Sequence, residues 1–244
     1  MALGLTGAVA VVTGASSGIG EAIALRLAEE GAVVGLLARR GALLDELVGR
    51  VARRGGRAIP LVADVTDPRQ VEAEIARLMK LAGRLDILVN AAGTAMSGDF
   101  ATSAPGSWRP LIDTNFTGVL NSTHAALPHL VNSAKGARGV ADVVSISSIA
   151  GRRIGPGNGI YSATKYAVGA FSESLRKEVV ERSVRVALVE PGWVDTALTT
   201  GITKDRHYRW LQPDEVADAV HYIVTRPAHL AVNELMLRPV GQLD

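Results

Sequence analysis

Seven short apolar runs recur along this chain: 9–12, 33–37, 59–62, 87–89, 143–146, 184–189 and 235–237. Each is nearly continuous instead of alternating apolar with polar, which is how strands read when helices cover both faces of a parallel sheet. The segments between them, 21–30, 43–54, 70–81, 110–131, 161–181 and 213–224, carry helical periodicity. Asp67-Pro68 offers an N-cap followed by proline at the first helical position, and Gly31 and Gly55 stand just past the ends of two helices. The alternation predicts a doubly wound α/β fold. It has a seven-stranded parallel sheet with helices on both faces, and its ligands lie beyond the carboxyl ends of the strands. No linker-like stretch or abrupt change of composition divides the 244 residues, so the expectation is one domain over 1–244.

Composition narrows the chemistry. There is no cysteine, which removes disulfides, thiolate catalysis and Cys-based zinc sites, and no histidine pair has metal-ligand spacing, so no metal is expected. The 26 basic and 24 acidic residues are mixed along the chain and give a net charge of +2, which argues against a nucleic-acid partner. No apolar stretch approaches the roughly 20 residues a bilayer needs, and the first residues lack a basic n-region, so neither a membrane partner nor a signal peptide is expected. The cytoplasm is the expected compartment.

The first strand runs into Thr13-Gly14-Ala15-Ser16-Ser17-Gly18-Ile19-Gly20 and then a helix. Glycines permit positive φ and close backbone approach, and the N–H groups at the helix start can hold a pyrophosphate. Three glycines exceed what a plain tight turn requires, so phosphate binding is favoured. The same letters spell GxSxG, a nucleophile-elbow pattern that would make Ser16 a hydrolase nucleophile. The five histidines carry no motif that would complete such a triad. At the end of the second strand, where a carboxylate would select NAD through its ribose, stand Arg39 and Arg40. Arginine there suits a 2′-phosphate, and the expected cofactor is NADP(H). Asp64 and Val65 end the third strand, where the adenine would lie. Asn90, Ala91 and Gly93 end the fourth, with small side chains that leave room for a cofactor.

Farther along, Ser148 precedes Tyr161 and Lys165. Four residues make one helical turn, so phenol and ammonium project from one face. A nearby cation lowers a phenol's pKa from its ordinary value near ~10. Such a pair is common on solvated helices, and its meaning comes from the company it keeps.

That company resembles the short-chain dehydrogenase/reductase family over almost the whole length. The ordered motifs are the Thr13–Gly20 turn, Asn90 to Gly93, Asn115, Ser148, Tyr161 with Lys165, and Pro191-Gly192 followed by Thr196. Ala91 replaces a common asparagine and touches no catalytic atom. The resemblance implies a Rossmann fold and interconversion of a carbonyl and an alcohol. Tyr161 would be the general acid or base, Lys165 would tune it and bind the nicotinamide ribose, and Ser148 would hold the substrate oxygen. Asn115 would sustain a helix irregularity and a proton route to solvent. The glycine turn (Gly14, Ser16, Ser17, Gly18, Ile19, Gly20) and Pro191, Gly192, Val194 and Thr196 would grip the cofactor. Met96, the 149–154 region, Trp193 and the segment 197–211 would line the substrate pocket, with core packing the alternative for Met96 and Trp193, and Arg152 or Arg153 would be either available to a carboxylate or a solvated loop charge. The ending 232–239 resembles a subgroup of NADP-dependent 3-hydroxy-acid and clavulanate-type dehydrogenases, which suggests a small polar aldehyde or ketone. Family members form homo-oligomers, here expected to be a tetramer built on the 110–131 and 161–181 helices. A redox sensor that binds NADP without turnover is the alternative reading.

Overall fold

The computed structural model describes residues 2–95, 98–104, 106–200 and 208–243. Seven parallel strands form one sheet in the order β3-β2-β1-β4-β5-β6-β7: β1 Val9–Thr13, β2 Val33–Ala38, β3 Arg57–Val62, β4 Ile87–Asn90, β5 Ala141–Ile146, β6 Val184–Pro191 and β7 Glu234–Leu237. The strand order reverses between β1 and β4, which opens a crevice at their carboxyl ends.

Near-continuous apolarity has a simple cause in the packing. Along β1, Ala10 and Val12 enter one core while Val9 and Val11 enter the other. The first core packs against α1 (Gly18–Glu29), α2 (Gly41–Arg53) and α7 (Pro213–Val224). The second packs against α3 (Pro68–Ala82), α5 (Gly118–Ser133) and α6 (Gly159–Val179). No helix of the described residues is long and apolar enough to cross a membrane.

The helix signals read from sequence hold locally. Asp67 caps α3 by accepting from the N–H groups of Arg69 at 2.9 Å and Gln70 at 3.3 Å, with Pro68 at the first helical position. Gly31 and Gly55 take φ of 92° and 78° at the ends of α1 and α2.

Two boundaries differ. Helix α1 begins at Gly18, inside the glycine turn, where Gly18 adopts φ 57° and a Cβ on Gly20 would overlap the carbonyl of Gly14. The expected single helix over 110–131 is three pieces: α4 (Arg109–Ile112), a π-helical turn (Asp113–Thr117) and α5. The buried Asn115 hydrogen-bonds residue 94 from within the wider turn, which accounts for the break.

Candidate active site

The glycine turn and the end of β4 close on each other. Gly14 has φ 68°, and a Cβ there would stand 2.7 Å from Ala92 Cα. Thr13, the last residue of β1, accepts from the N–H groups of Ala91 and Ala92, both at 3.0 Å, and so pins the two strand ends. Across the cleft, a Cβ on Gly18 would approach Thr196 Cγ2 at 3.4 Å, so these two expected cofactor contacts face each other. The amides of Ile19 and Gly20 belong to the first turn of α1, where N–H groups lack helical partners and attract anions.

Two arginines stand at the β2 end in different arrangements. Arg40 Nη2 donates to Ser16 Oγ at 2.8 Å and to Ser17 Oγ at 3.0 Å, while Arg39 lies 3.6 Å from Asp64. Burial acts to raise the Asp64 carboxyl, but hydrogen bonds from Thr66 and the charge of Arg39 outweigh it and hold it below the ordinary carboxylate value. The turn itself carries no basic residue, and Arg40 brings one to it. Ser16 thereby faces a cation, and a guanidinium cannot serve as the base a hydrolase nucleophile needs.

Two expected contacts turn inward. Asn90 is 3% exposed and donates to Thr123 Oγ1 at 3.1 Å and Ser145 Oγ at 3.3 Å, which commits its amide nitrogen to bracing β4 against α5 and β5. Val65 buries its side chain in the second core, and its carbonyl accepts from Asn121 Nδ2 at 2.9 Å.

The residues expected to transfer the proton gather at the ends of β4 and β5. Ser148 precedes a short 3-10 turn, where its Oγ accepts from the Ala150 N–H at 3.1 Å, lies 3.5 Å from the Pro191 carbonyl and acts on the neighbouring Tyr161 phenol to lower its pKa. One turn along α6, Lys165 Nζ lies 5.7 Å from the Tyr161 ring centroid and donates to the Ile146 carbonyl at 2.9 Å. Asn115, from the π-turn, accepts from Thr94 N at 2.8 Å and donates to the Thr94 carbonyl at 2.9 Å and to Thr164 Oγ1 at 3.3 Å. A Cβ on Gly93 would stand 3.4 Å from Asn115 Oδ1 and 3.9 Å from Lys165 Nζ, so this glycine leaves the space between them open.

Electrostatics here depart from the sequence expectation that Lys165 lowers the phenol. Burial raises the Tyr161 pKa against the lowering hydrogen bond from Ser148, and burial lowers Lys165 to about 8. Desolvation favours the neutral form of each group.

At the far end of the cleft, the indole of Trp193 stacks on Trp210 with centroids 5.1 Å apart and planes 18° from parallel. Val194 pairs with Leu211, and Thr196 caps a short turn with Thr199. Met96 lies outside the described residues, as does 201–207 of the expected 197–211 pocket segment. Arg152 pairs with Glu190 at 2.7 Å and Glu234 at 2.5 Å, and Arg153 Nη1 lies 3.5 Å from the Leu243 carbonyl. Arg152 is thus engaged in a salt-bridge network that draws a solvated loop onto β6 and β7, which corrects its reading as a free carboxylate receptor.

With this geometry, comparison with known proteins is specific. Residues 8–207 match the short chain dehydrogenase family. An uncharacterized oxidoreductase of Staphylococcus aureus is 38% identical over 97% of this chain and 99% of its own. The chain belongs to the short-chain dehydrogenase/reductase family. Among solved structures, an alcohol dehydrogenase of the archaeon Thermococcus sibiricus, complexed with 5-hydroxy-NADP, superposes with a TM-score of 0.88. It is 30% identical and covers 97% of this chain and 98% of its own. A 3-ketoacyl-(acyl-carrier-protein) reductase of Brucella melitensis, complexed with NADH, has a TM-score of 0.87 at 27% identity over 97% and 98%.

In this short-chain dehydrogenase, sequence reading missed Thr13, Thr94, Thr164 and Gln242. A hydroxyl ending a buried strand just before the glycine turn signals Thr13. Thr94 takes part through its backbone, Thr164 through a neighbouring helix, and Gln242 across fifty residues of chain, so none left a local mark.

Proposed function

We propose that the chain is an NADP(H)-dependent oxidoreductase that interconverts a carbonyl with a secondary or primary alcohol, using Tyr161 as general acid and base. The convergence of Ser148, Tyr161, Lys165 and Asn115 around the open space at Gly93 carries this reading. The cleft fits the cofactor: Gly14 and Gly20 let the turn close on Ala92 and on itself so that the first amides of α1 can meet a phosphate, Arg39 and Arg40 offer cations at the β2 end, and Gly93 leaves room beside Lys165. When bound, NADP(H) supplies or takes up the hydride.

The chain's own groups handle the proton. Ser148 Oγ would hold the substrate oxygen and direct it at the phenol, where charge develops. Burial keeps Tyr161 protonated at neutral pH, which loads the acid needed for carbonyl reduction. Lys165 would bind the nicotinamide ribose and favour the phenolate once the proton has left. Asn115 holds Thr94 and Thr164 at the inner wall and would order water behind the lysine. Pro191, Gly192, Val194 and Thr196 would face the nicotinamide, with Trp193 forming a substrate wall.

The expected substrate is a small polar aldehyde or ketone. The 244 residues would work as one domain in the cytoplasm, within a homotetramer. The exposed Tyr166 on α6 and Val180 just beyond it support an apolar contact between copies. Tyr161→Phe tests the central claim. NADPH-dependent reduction across aldehydes, 3-oxo acids and cyclic ketones should fall roughly 10²- to 10⁴-fold while NADPH binding persists. Undiminished turnover would overturn the assignment.

A further inference from the structure

The tail after β7 lies against the segment that would face the nicotinamide. Gln242 is 6% exposed, and its Oε1 accepts from the Trp193 N–H at 3.1 Å. The same oxygen fills the space that a Cβ on Gly192 would need, and Pro239 Cδ would stand 3.3 Å from that Cβ. A turn closed by the Gln242 N–H on the Pro239 carbonyl at 2.9 Å sets this placement, while the Gly192 N–H donates to the Leu237 carbonyl at 2.8 Å. Consecutive amides of the active-site segment, at 192 and 193, are therefore both held by the last stretch of chain.

We infer that Gln242 is a positioning residue for the reaction, latching the Pro191-Gly192-Trp193 turn so that Ser148 and the Trp193 indole keep their working places. The connection is short. The Pro191 carbonyl, one peptide before the latched pair, lies 3.5 Å from Ser148 Oγ, and Ser148 neighbours the Tyr161 phenol. On the other side, the Trp193 carbonyl accepts from the Leu211 N–H at 2.9 Å and the indole stacks on Trp210. Gly192 has no side chain with which to fix its own position. The latch replaces that missing anchor with an amide oxygen from fifty residues away. A displaced segment would alter Ser148's orientation far more than phosphate binding, which lies at the opposite end of the cleft.

The inference rests on the proposed roles of Ser148 and Tyr161. Gln242→Ala and Gly192→Ala attack the latch from its two sides, the second by placing a methyl group where the flexible amide sits. Each should lower kcat for carbonyl reduction about tenfold, and Gln242→Ala, which leaves every proposed cofactor contact in place, should change the NADPH dissociation constant less than twofold. The double variant should lose little more than either single one, because both remove the same contact. Far-UV circular dichroism should show a weaker Trp193–Trp210 exciton couplet in each, measured on protein that still binds NADPH. Unchanged kcat with a lowered Tm would reduce Gln242 to a structural strap and overturn the inference, as would losses that add. If Tyr161→Phe retains full activity, the acid–base reading fails separately. The exciton band then decides the latch alone: its persistence in both variants removes the latch, and its loss sustains it.

Discussion

Arg39 leaves 76% of its side chain in solvent, whereas Lys165, at the other end of the same cleft, is a buried cation at 6% exposure beside Asn115 at 1%. The proposed phosphate end is made of backbone and surface: glycines that let the turn pack closely, helix amides, and arginines at the rim. The proposed proton-transfer end is made of buried and half-buried polar side chains, each held by named partners. Exposed charges contribute little to folding and are exchangeable at small cost. Buried ones cost stability unless paired, and they persist where the chemistry requires them. The difference teaches that, under the proposed function, cofactor preference rests on the adjustable end of the cleft and acid–base chemistry on the rigid one.

Lys165→Met should give the largest effect. Turnover should fall at least about 10²-fold, yet the folded state should gain roughly 1–3 kcal/mol at pH 7. The sign follows from linkage. An unfolded lysine titrates near its model value of 10.5, and Lys165 is lowered to about 8 in the folded chain. Between those values the unfolded state binds more protons, so wild-type stability rises with pH across that window and carries its full deficit below it. The advantage of the variant should therefore shrink as pH climbs from about 8 toward 10.5. Denaturant titrations of both proteins at several pH values measure this, and equal stability throughout would show that the lysine is not strained.

Gly14→Ala comes next. A side chain at φ 68° and 2.7 Å from Ala92 Cα must push β1 and β4 apart, which should cost about 1–3 kcal/mol and weaken NADPH and NADH binding alike. If only NADPH binding suffered, the glycine would belong with the arginines and not with the shared cradle.

The smallest expected effect is the most selective. Arg39→Ala and Arg40→Ala should each lower the NADPH over NADH preference about tenfold, with the Tm unmoved, since both arginines are exposed. Arg40 is already held at Ser16 and Ser17, so its loss should also loosen the turn in measurements of NADH affinity, whereas loss of Arg39 should not.

The two ends differed in legibility for the same physical reason. Strand and helix periods, the Asp67 cap, the glycine turn and the Tyr161–Lys165 spacing are local and could be read directly. The sign of the pKa shifts was not local: lysine beside tyrosine suggested a depressed phenol, but burial comes from the whole fold and reversed it. Arg152 looked like a free loop charge until β6 and β7 supplied Glu190 and Glu234. Asn90 sat in a cofactor motif, yet its amide nitrogen reaches Thr123 and Ser145, which no spacing along the chain announces.

The π-helical turn at Asp113–Thr117 holds more residues per turn than the α-helix on either side. Losing one residue there would regularise the helix and rotate one flank by about 100° relative to the other. Asn115 would leave Thr94, or Asn121 and Thr123 would leave Val65 and Asn90. The width of the cleft is thus set by a residue count. Descendants of this sequence can exchange letters in that stretch, but a one-codon deletion would pull the two ends of the cleft out of register.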